Sequence, residues 1–294
     1  MQKIVHLSPP WKQWILDNIA RGCSVESMVE SMVKDNYDPA FASHCVKQLA
    51  LPAGNQVPIN SEPTAVSRQQ HYQCEPARLQ NHGRIIHTND RDVRVTFRMS
   101  DPLVVLLENL LSNDECDELV DISRHKMIRS GVVDPITGQS QLISARSSTG
   151  TFFRLNENDF IARLDRRVAE VMNWPLENGE GLQVLNYQVG GEYKVHFDYF
   201  DPSNPANKIH LANGGQRVST LVIYLNDVES GGETLFPEAN LSVEPTKGSA
   251  VYFEYCNSSG QVDAKSLHGG LPVTAGEKWI ATKWMRQRPY QSGS

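Results

Sequence analysis

The chain has 294 residues, 39% of them hydrophobic, with 28 basic and 34 acidic side chains and a formal net charge of −6. That length suits one domain of about 200 residues with an appended module, and an acidic balance without a basic stripe argues against phosphate-backbone binding, so no nucleic-acid partner is expected. The five cysteines, Cys23, Cys45, Cys74, Cys116 and Cys256, are odd in number, scattered and contain no Cys-x-x-Cys pair, and read as reduced free thiols.

In chain order, residues 1–50 read as a small three-helix module. Trp11, Trp14, Ile15 and Ile19 fall at helical spacing before Gly22, and Met28, Val29, Met32 and Val33 mark a second helix after Ser24. Asp38-Pro39 supplies a cap and first turn for a third, carrying Ala42, Val46 and Leu49. So small a unit either docks on the rest of the chain or mediates protein interaction or dimerisation. Residues 51–80, rich in Pro, Gln, Ser and Asn, have the profile of a linker.

From 81 to 294 the pattern changes. Val93, Val95 and Phe97 alternate with polar residues as in a strand, Asp101-Pro102 breaks it, and Val104 to Leu111 forms another apolar run. Ser112 with Glu115 makes a capping box for a helix through Ile122. Ile161, Leu164, Val168 and Val171 share one face of a helix over 160–174, and strands and turns dominate from 182 onward. Pattern alone therefore gives an α+β chain with a β-sandwich or barrel. No apolar run is long enough for a signal-peptide core or a membrane span, so no membrane partner is expected and the expected compartment is the cytoplasm.

Chemistry concentrates in two segments. One is Tyr187-Gln-Val-Gly-Gly-Glu-Tyr193-Lys-Val-His196-Phe-Asp198; the other runs from His268 through Lys278. In a strand, residues i and i+2 point to the same face, so His196 and Asp198 can grip one ion. Two His and one carboxylate on one face of an octahedron leave three positions open, the arrangement non-haem Fe(II) oxygenases need. His-x-Asp alone is a weak signal, and among the nine histidines His6, His44, His71, His82, His87, His125 and His210 read as surface or hydrogen-bonded residues. If 277–285 is extended, Lys278, Ile280, Thr282 and Trp284 share one face and Trp279, Ala281, Lys283 and Met285 the other. One face can then be a barrel interior carrying a charge. Val218, Thr220, Val222 and Tyr224 share a face by the same rule.

Residues 181–286 resemble the prolyl 4-hydroxylase catalytic domain of the 2-oxoglutarate and Fe(II)-dependent dioxygenases. The resemblance runs through the Tyr187 to Asp198 motif, Arg217-Val-Ser-Thr-Leu-Val-Ile-Tyr-Leu-Asn226, Gly231-Gly-Glu-Thr-Leu-Phe-Pro237, Pro245-Thr-Lys-Gly-Ser-Ala-Val-Tyr-Phe253 and His268 to Trp284, where Lys278 falls ten residues after His268. Weaker similarity reaches back to Leu111-Ser-Asn-Asp-Glu-Cys-Asp117 and Ala145-Arg-Ser-Ser-Thr-Gly150.

The resemblance implies a double-stranded β-helix, or jelly roll, of about eight strands buttressed by helices. It implies Fe(II) on His196, Asp198 and His268, with 2-oxoglutarate and O2 as co-substrates, succinate and CO2 as co-products, and ascorbate as reductant. Lys278 is then the cation for the far carboxylate of 2-oxoglutarate, which would otherwise be buried unpaired. Tyr224 is placed near that carboxylate and Tyr187 near the iron-bound end, while Thr282 can donate to the co-substrate and Trp284 can wall the pocket. The implied substrate is a prolyl residue in a protein or peptide, hydroxylated at C4; a free amino acid or another side chain and a non-catalytic metal or partner-binding relative are the alternatives. Polar segments Tyr199 to Gln216 and Asn257 to Ser266 are candidate lids, and Tyr193, Tyr199 and Arg146 candidate substrate contacts.

Overall fold

Proline or a side-chain cap begins each of three short helices, α1 (Pro9–Ala20), α2 (Val25–Lys34) and α3 (Pro39–Ala50). Two prolines open α1, where the missing N–H would be unpaired in any case. Ser24 Oγ accepts from Ser27 N at 3.2 Å at the head of α2, and Asp38 Oδ1 accepts from Phe41 N at 2.9 Å at the head of α3. The computed structural model describes residues 4, 7–50, 72–79, 83–129, 132–133, 140–141, 147–202 and 204–291. It divides into two compact units, Met1–Gln69 and Gln70–Ser294. Within the first, Ile15, Met28, Met32, Tyr37 and Val46 close a small core, so both methionines lie inside the unit.

The stretch read as linker, 51–80, divides in two. Residues 51–71 lie outside the described residues, whereas 72–79 belong to the second unit: Arg78 N donates to Glu254 Oε1 at 2.7 Å, Asn257 Nδ2 donates to Gln73 O at 3.1 Å, and Leu79 is fully buried. Polar composition concealed this because the segment is fastened by backbone groups, which any side chain permits.

The second unit opens with the meander β1 (Ile85–His87), β2 (Asp92–Ser100) and β3 (Leu103–Glu108), followed by α4 (Asn113–Arg124). Short strands β4 (Ile128–Arg129), β5 (Val132–Val133) and β6 (Ser140–Gln141) lead to β7 (Thr149–Phe153) and α5 (Asp159–Met172). The capping box at α4 is complete: Glu115 N donates to Ser112 Oγ at 3.1 Å and Ser112 N to Glu115 Oε2 at 2.9 Å. Ser112→Ala is expected to lower stability by about 1 kcal/mol and the melting temperature by about 2–4 °C; a thermal melt followed by circular dichroism checks this.

After α5 come β8 (Leu182–Tyr187), β9 (Tyr193–His196), the short helix α6 (Lys208–Ala212), β10 (Arg217–Tyr224), β11 (Ser230–Gly231) and β12 (Thr234–Phe236). Then follow β13 (Leu241–Val243), β14 (Ala250–Glu254), β15 (His268–Gly270), β16 (Val273–Ala275) and β17 (Lys278–Arg286). Two more strands than the expected eight are present here, and the two-stranded β11–β16 ribbon accounts for them. A nine-stranded sheet of order β1-β2-β3-β14-β10-β17-β8-β7-β4 and a four-stranded sheet of order β13-β12-β15-β9 carry the architecture, with antiparallel pairing throughout. The two sheets meet through Phe236 of β12 and Phe253 of β14, edge to face at 5.1 Å between ring centroids. This is the jelly-roll arrangement, with β8, β10, β14 and β17 as the floor of the site.

Helices α4 and α5 cover the other face of the large sheet through Leu119, Ile161, Leu164, Val168 and Val171. Strand β17 is buried on both faces. Lys283 points towards α5 and donates to Asp165 Oδ1 at 2.7 Å, whereas Lys278, of opposite parity, points into the roll. Among the described residues no helix is long and apolar enough to cross a membrane.

Candidate active site

Strand β9 is the edge of the small sheet and β15 its inner neighbour, with His196 directly opposite His268 in the register. The strands approach closely because residue 269 is glycine: a Cβ there would stand 3.0 Å from Tyr193 O and 3.1 Å from Val195 N. The two imidazole centroids are 4.4 Å apart. His196 Nδ1 lies 2.8 Å from Lys194 O and His268 Nδ1 lies 2.9 Å from Ser266 O. A carbonyl can only accept, so each ring carries its proton on Nδ1 and turns the Nε2 lone pair inward.

Asp198 completes the group, with Oδ1 3.6 Å from His196 Nε2 and Oδ2 3.5 Å from His268 Nε2. Among the described residues, these three form the one cluster of His, Cys, Asp or Glu with metal-ligating geometry. Donor atoms around one octahedral ion stand about 3 Å apart, so small side-chain adjustments suffice to hold one. The strand reading of His-x-Asp needs one correction. The chain leaves β9 at His196 and Asp198 sits in a bend beyond it, so strand parity does not place the carboxylate.

Thr220 of β10 places it instead. Its hydroxyl donates to Asp198 Oδ2 at 2.6 Å and lies 2.9 Å from the Tyr255 hydroxyl. Arg217, clamped by Glu180 through bonds of 2.7 and 2.8 Å, reaches Asp198 O at 3.5 Å. The histidines and Arg217 hold the buried Asp198 carboxyl well below the usual carboxylate range, overcoming burial, which acts in the other direction. Burial brings His268 down to about 4 against the pull of Asp198, so the ring is a neutral donor at ordinary pH. Phe253 and Phe236 enclose that ring at 4.5 and 5.8 Å, and Tyr193 stacks on His196 at 3.7 Å.

Lys278 stands at the start of β17 opposite Tyr187. Its Nζ donates to Gly232 O at 2.5 Å and lies 5.8 Å from the Tyr187 ring and 5.7 Å from the Tyr224 ring. Gly232 holds φ +75, a conformation disfavoured for other residues, and this aims its carbonyl at the ammonium. Among the described residues no carboxylate comes within salt-bridge range of Lys278, which is 3% exposed. Burial pushes its pKa down to about 8, opposed by Glu233. The Tyr224 hydroxyl is committed to Thr234 Oγ1 at 2.8 Å.

Thr282 and Trp284 lie on the same face further along β17, opposite Val222 and Thr220. Strand rise puts Thr282 about 13 Å from Lys278, so the two do not adjoin. Trp284 lies under the Arg217 guanidinium at 4.1 Å and its Nε1 is buried without a partner among the described residues. Tyr199 is half-buried between Phe197 at 4.7 Å and Tyr255 at 6.2 Å. Arg146 lies outside the described residues. Sequence pattern gives Thr220, Tyr255, Arg217 and Glu180 no role at the metal site. The available signal was Thr220, a hydroxyl between Val218 and Val222 on an inward face.

Two imidazoles, one carboxylate and a buried ammonium with no carboxylate in salt-bridge range among the described residues define a non-haem centre of the 2-oxoglutarate-dependent oxygenase class. Comparison with known proteins agrees. Residues 182–286 match the family described as the 2OG-Fe(II) oxygenase superfamily. Prolyl 4-hydroxylase 5 of Arabidopsis thaliana is 38% identical over 210 residues, 65% of this chain and 70% of that protein. Prolyl 4-hydroxylase 1 of the same plant is 42% identical over 202 residues, 64% of this chain and 70% of that protein. The crystal structure of a viral collagen prolyl hydroxylase from Paramecium Bursaria Chlorella virus-1, a 2-oxoglutarate complex, is 30% identical, with a TM-score of 0.49, covering 62% of this chain and 95% of that one. The chain belongs to the prolyl 4-hydroxylases of this superfamily and is a 2-oxoglutarate-dependent dioxygenase.

Proposed function

We propose that the protein hydroxylates prolyl residues of a protein or peptide at C4, with Fe(II) held by His196, Asp198 and His268 and 2-oxoglutarate anchored by Lys278. The observation that carries this reading is the pairing of an inward-facing His-Asp-His cluster with a buried ammonium that has no carboxylate in salt-bridge range among the described residues. The donor set suits Fe(II): two nitrogen lone pairs and one carboxylate leave open positions for co-substrate and O2. When bound, the metal would supply the oxidising chemistry that couples decarboxylation of 2-oxoglutarate to C–H hydroxylation, with ascorbate as the reductant that keeps it ferrous.

The protein's own part is positioning and exclusion of water. Lys278 would pair with the far carboxylate of 2-oxoglutarate in a site walled by Tyr187 and Tyr224, where the low dielectric strengthens the attraction. Tyr193, stacked on the partly exposed His196, would guide the substrate to the mouth, with Tyr199 and Trp284 contributing to the wall. The tandem of plant prolyl 4-hydroxylase relatives supports a prolyl substrate. Mass spectrometry of a proline-containing peptide library and of free amino acids, each incubated with enzyme, Fe(II), ascorbate and 2-oxoglutarate, tests the proposal. One added oxygen on peptidyl proline is expected. Modification of free amino acids alone, or of another side chain, would replace this substrate reading while leaving the chemistry in place.

The site also has an expected pH dependence. The dicarboxylate selects the protonated form of Lys278, whose pKa in the free protein is about 8. Below that pH the affinity for 2-oxoglutarate should be flat, and above it the affinity should fall about tenfold per pH unit as the ammonium is lost. Lys278→Arg, which stays charged, should show weaker binding with no such fall. Binding of 2-oxoglutarate titrated over about pH 6.5 to 9.5 checks both slopes.

A further inference from the structure

We propose that Thr220 and Tyr255 form a hydrogen-bond relay that positions Asp198, assigning Oδ2 to the protein and Oδ1 to the metal. The inference rests on the reading of Asp198 as a metal ligand and adds the residues that make it a competent one.

Proton accounting fixes the direction of the relay. Thr220 Oγ1 donates to Asp198 Oδ2 at 2.6 Å, a contact that uses the single hydroxyl proton of Thr220. Thr220 Oγ1 then has only lone pairs to offer at 2.9 Å to Tyr255, so the phenol is the donor. Burial raises the Tyr255 hydroxyl well above its ordinary range, which keeps the phenolic proton in place. All three groups are buried, with Thr220 and Tyr255 fully so. Water therefore does not compete for these bonds, and a missing member leaves a buried polar atom unsatisfied.

The need for such a relay follows from the backbone. The imidazoles of His196 and His268 are set by sheet register and by carbonyls two residues upstream. Asp198 has neither support, because it lies past the end of β9 in a bend. Thr220, by contrast, sits in the middle of β10, hydrogen-bonded to β14 on one side and β17 on the other. A strand paired on both edges thus supports the ligand that lies outside any strand. With Oδ2 engaged, Oδ1 is the oxygen free to ligate, and the carboxylate is steered to single-oxygen binding that leaves positions open.

Mn(II) binding to the apoprotein tests this without turnover, with free Mn(II) followed by electron paramagnetic resonance and folding by thermal melts. Thr220→Val, which removes the hydroxyl at similar size, should weaken Mn(II) affinity by about 10- to 100-fold. Thr220→Ser should bind close to wild type, Tyr255→Phe should lose less than Thr220→Val, and the double variant no more than Thr220→Val alone, since Tyr255 acts only through Thr220. Folded Thr220→Val with wild-type Mn(II) affinity would overturn the relay. If Thr220→Val does not fold, Tyr255→Phe decides: a loss of affinity sustains the relay and unchanged affinity overturns it. Asp198→Ala is the control. If it too binds Mn(II) normally, the metal assignment itself fails, and the relay with it.

Discussion

Purified His268→Ala is expected to lose 2-oxoglutarate decarboxylation altogether, and His196→Ala and Asp198→Ala to do the same. Three protein ligands are the whole holding set, and His268 is the most enclosed of them, between Phe236 and Phe253. Alanine there leaves two ligands and a pocket of apolar edges. Removing even an outer partner of a metal ligand costs 10- to 100-fold, so loss of a ligand itself should exceed that. The measurement is CO2 release from labelled 2-oxoglutarate, with Mn(II) affinity determined in parallel. Near-full decarboxylation by His268→Ala would remove this residue from the metal site.

The second large effect belongs to Lys278, whose loss should act on the co-substrate and spare the metal. Lys278→Ala removes one partner of a desolvated charge pair, a change worth about 3–5 kcal/mol, or a rise of several hundredfold or more in apparent KM for 2-oxoglutarate. Mn(II) affinity should change little, since Nζ contacts Gly232 O and none of the three ligands. Lys278→Arg should recover part of the loss. The planar guanidinium must enter a space shaped for an ammonium between Tyr187 and Tyr224 and against Gly232. Wild-type dependence on 2-oxoglutarate in both variants would show that the anchor lies elsewhere.

What the sequence made legible was mostly local. The parity of β17, the Ser112 and Glu115 capping box and the helix carrying Ile161, Leu164 and Val168 are all short-range patterns, and each stands in the structure. Parity failed where the backbone departs from regularity. At Phe97 a bulge in the β2–β3 register turns the ring to an exposed position although Val93 and Val95 are buried. At Asp198 the strand has already ended. The surroundings of the ligands were illegible for a different reason: Glu180, Arg217, Thr220 and Tyr255 come from separate segments and adjoin only through tertiary pairing. Family resemblance implies the ligand set and Lys278, but the partners that hold Asp198 come together only in the folded chain.

The two lysines of β17 have a consequence for how the protein reaches its fold. Lys278 and Lys283 are five residues apart, so they occupy opposite faces, and among the described residues only Lys283 meets a carboxylate, that of Asp165. Slipping the strand by one residue would exchange the faces, driving Lys283 into the roll and leaving Asp165 of α5 buried without its partner. Each unmatched buried charge is worth about 3–5 kcal/mol, so one slip would consume much of the roughly 5–15 kcal/mol that separates folded from unfolded domains. The mispaired strand is therefore strongly disfavoured, and the same residues that place a cation in the pocket proofread the alignment of the strand that carries it.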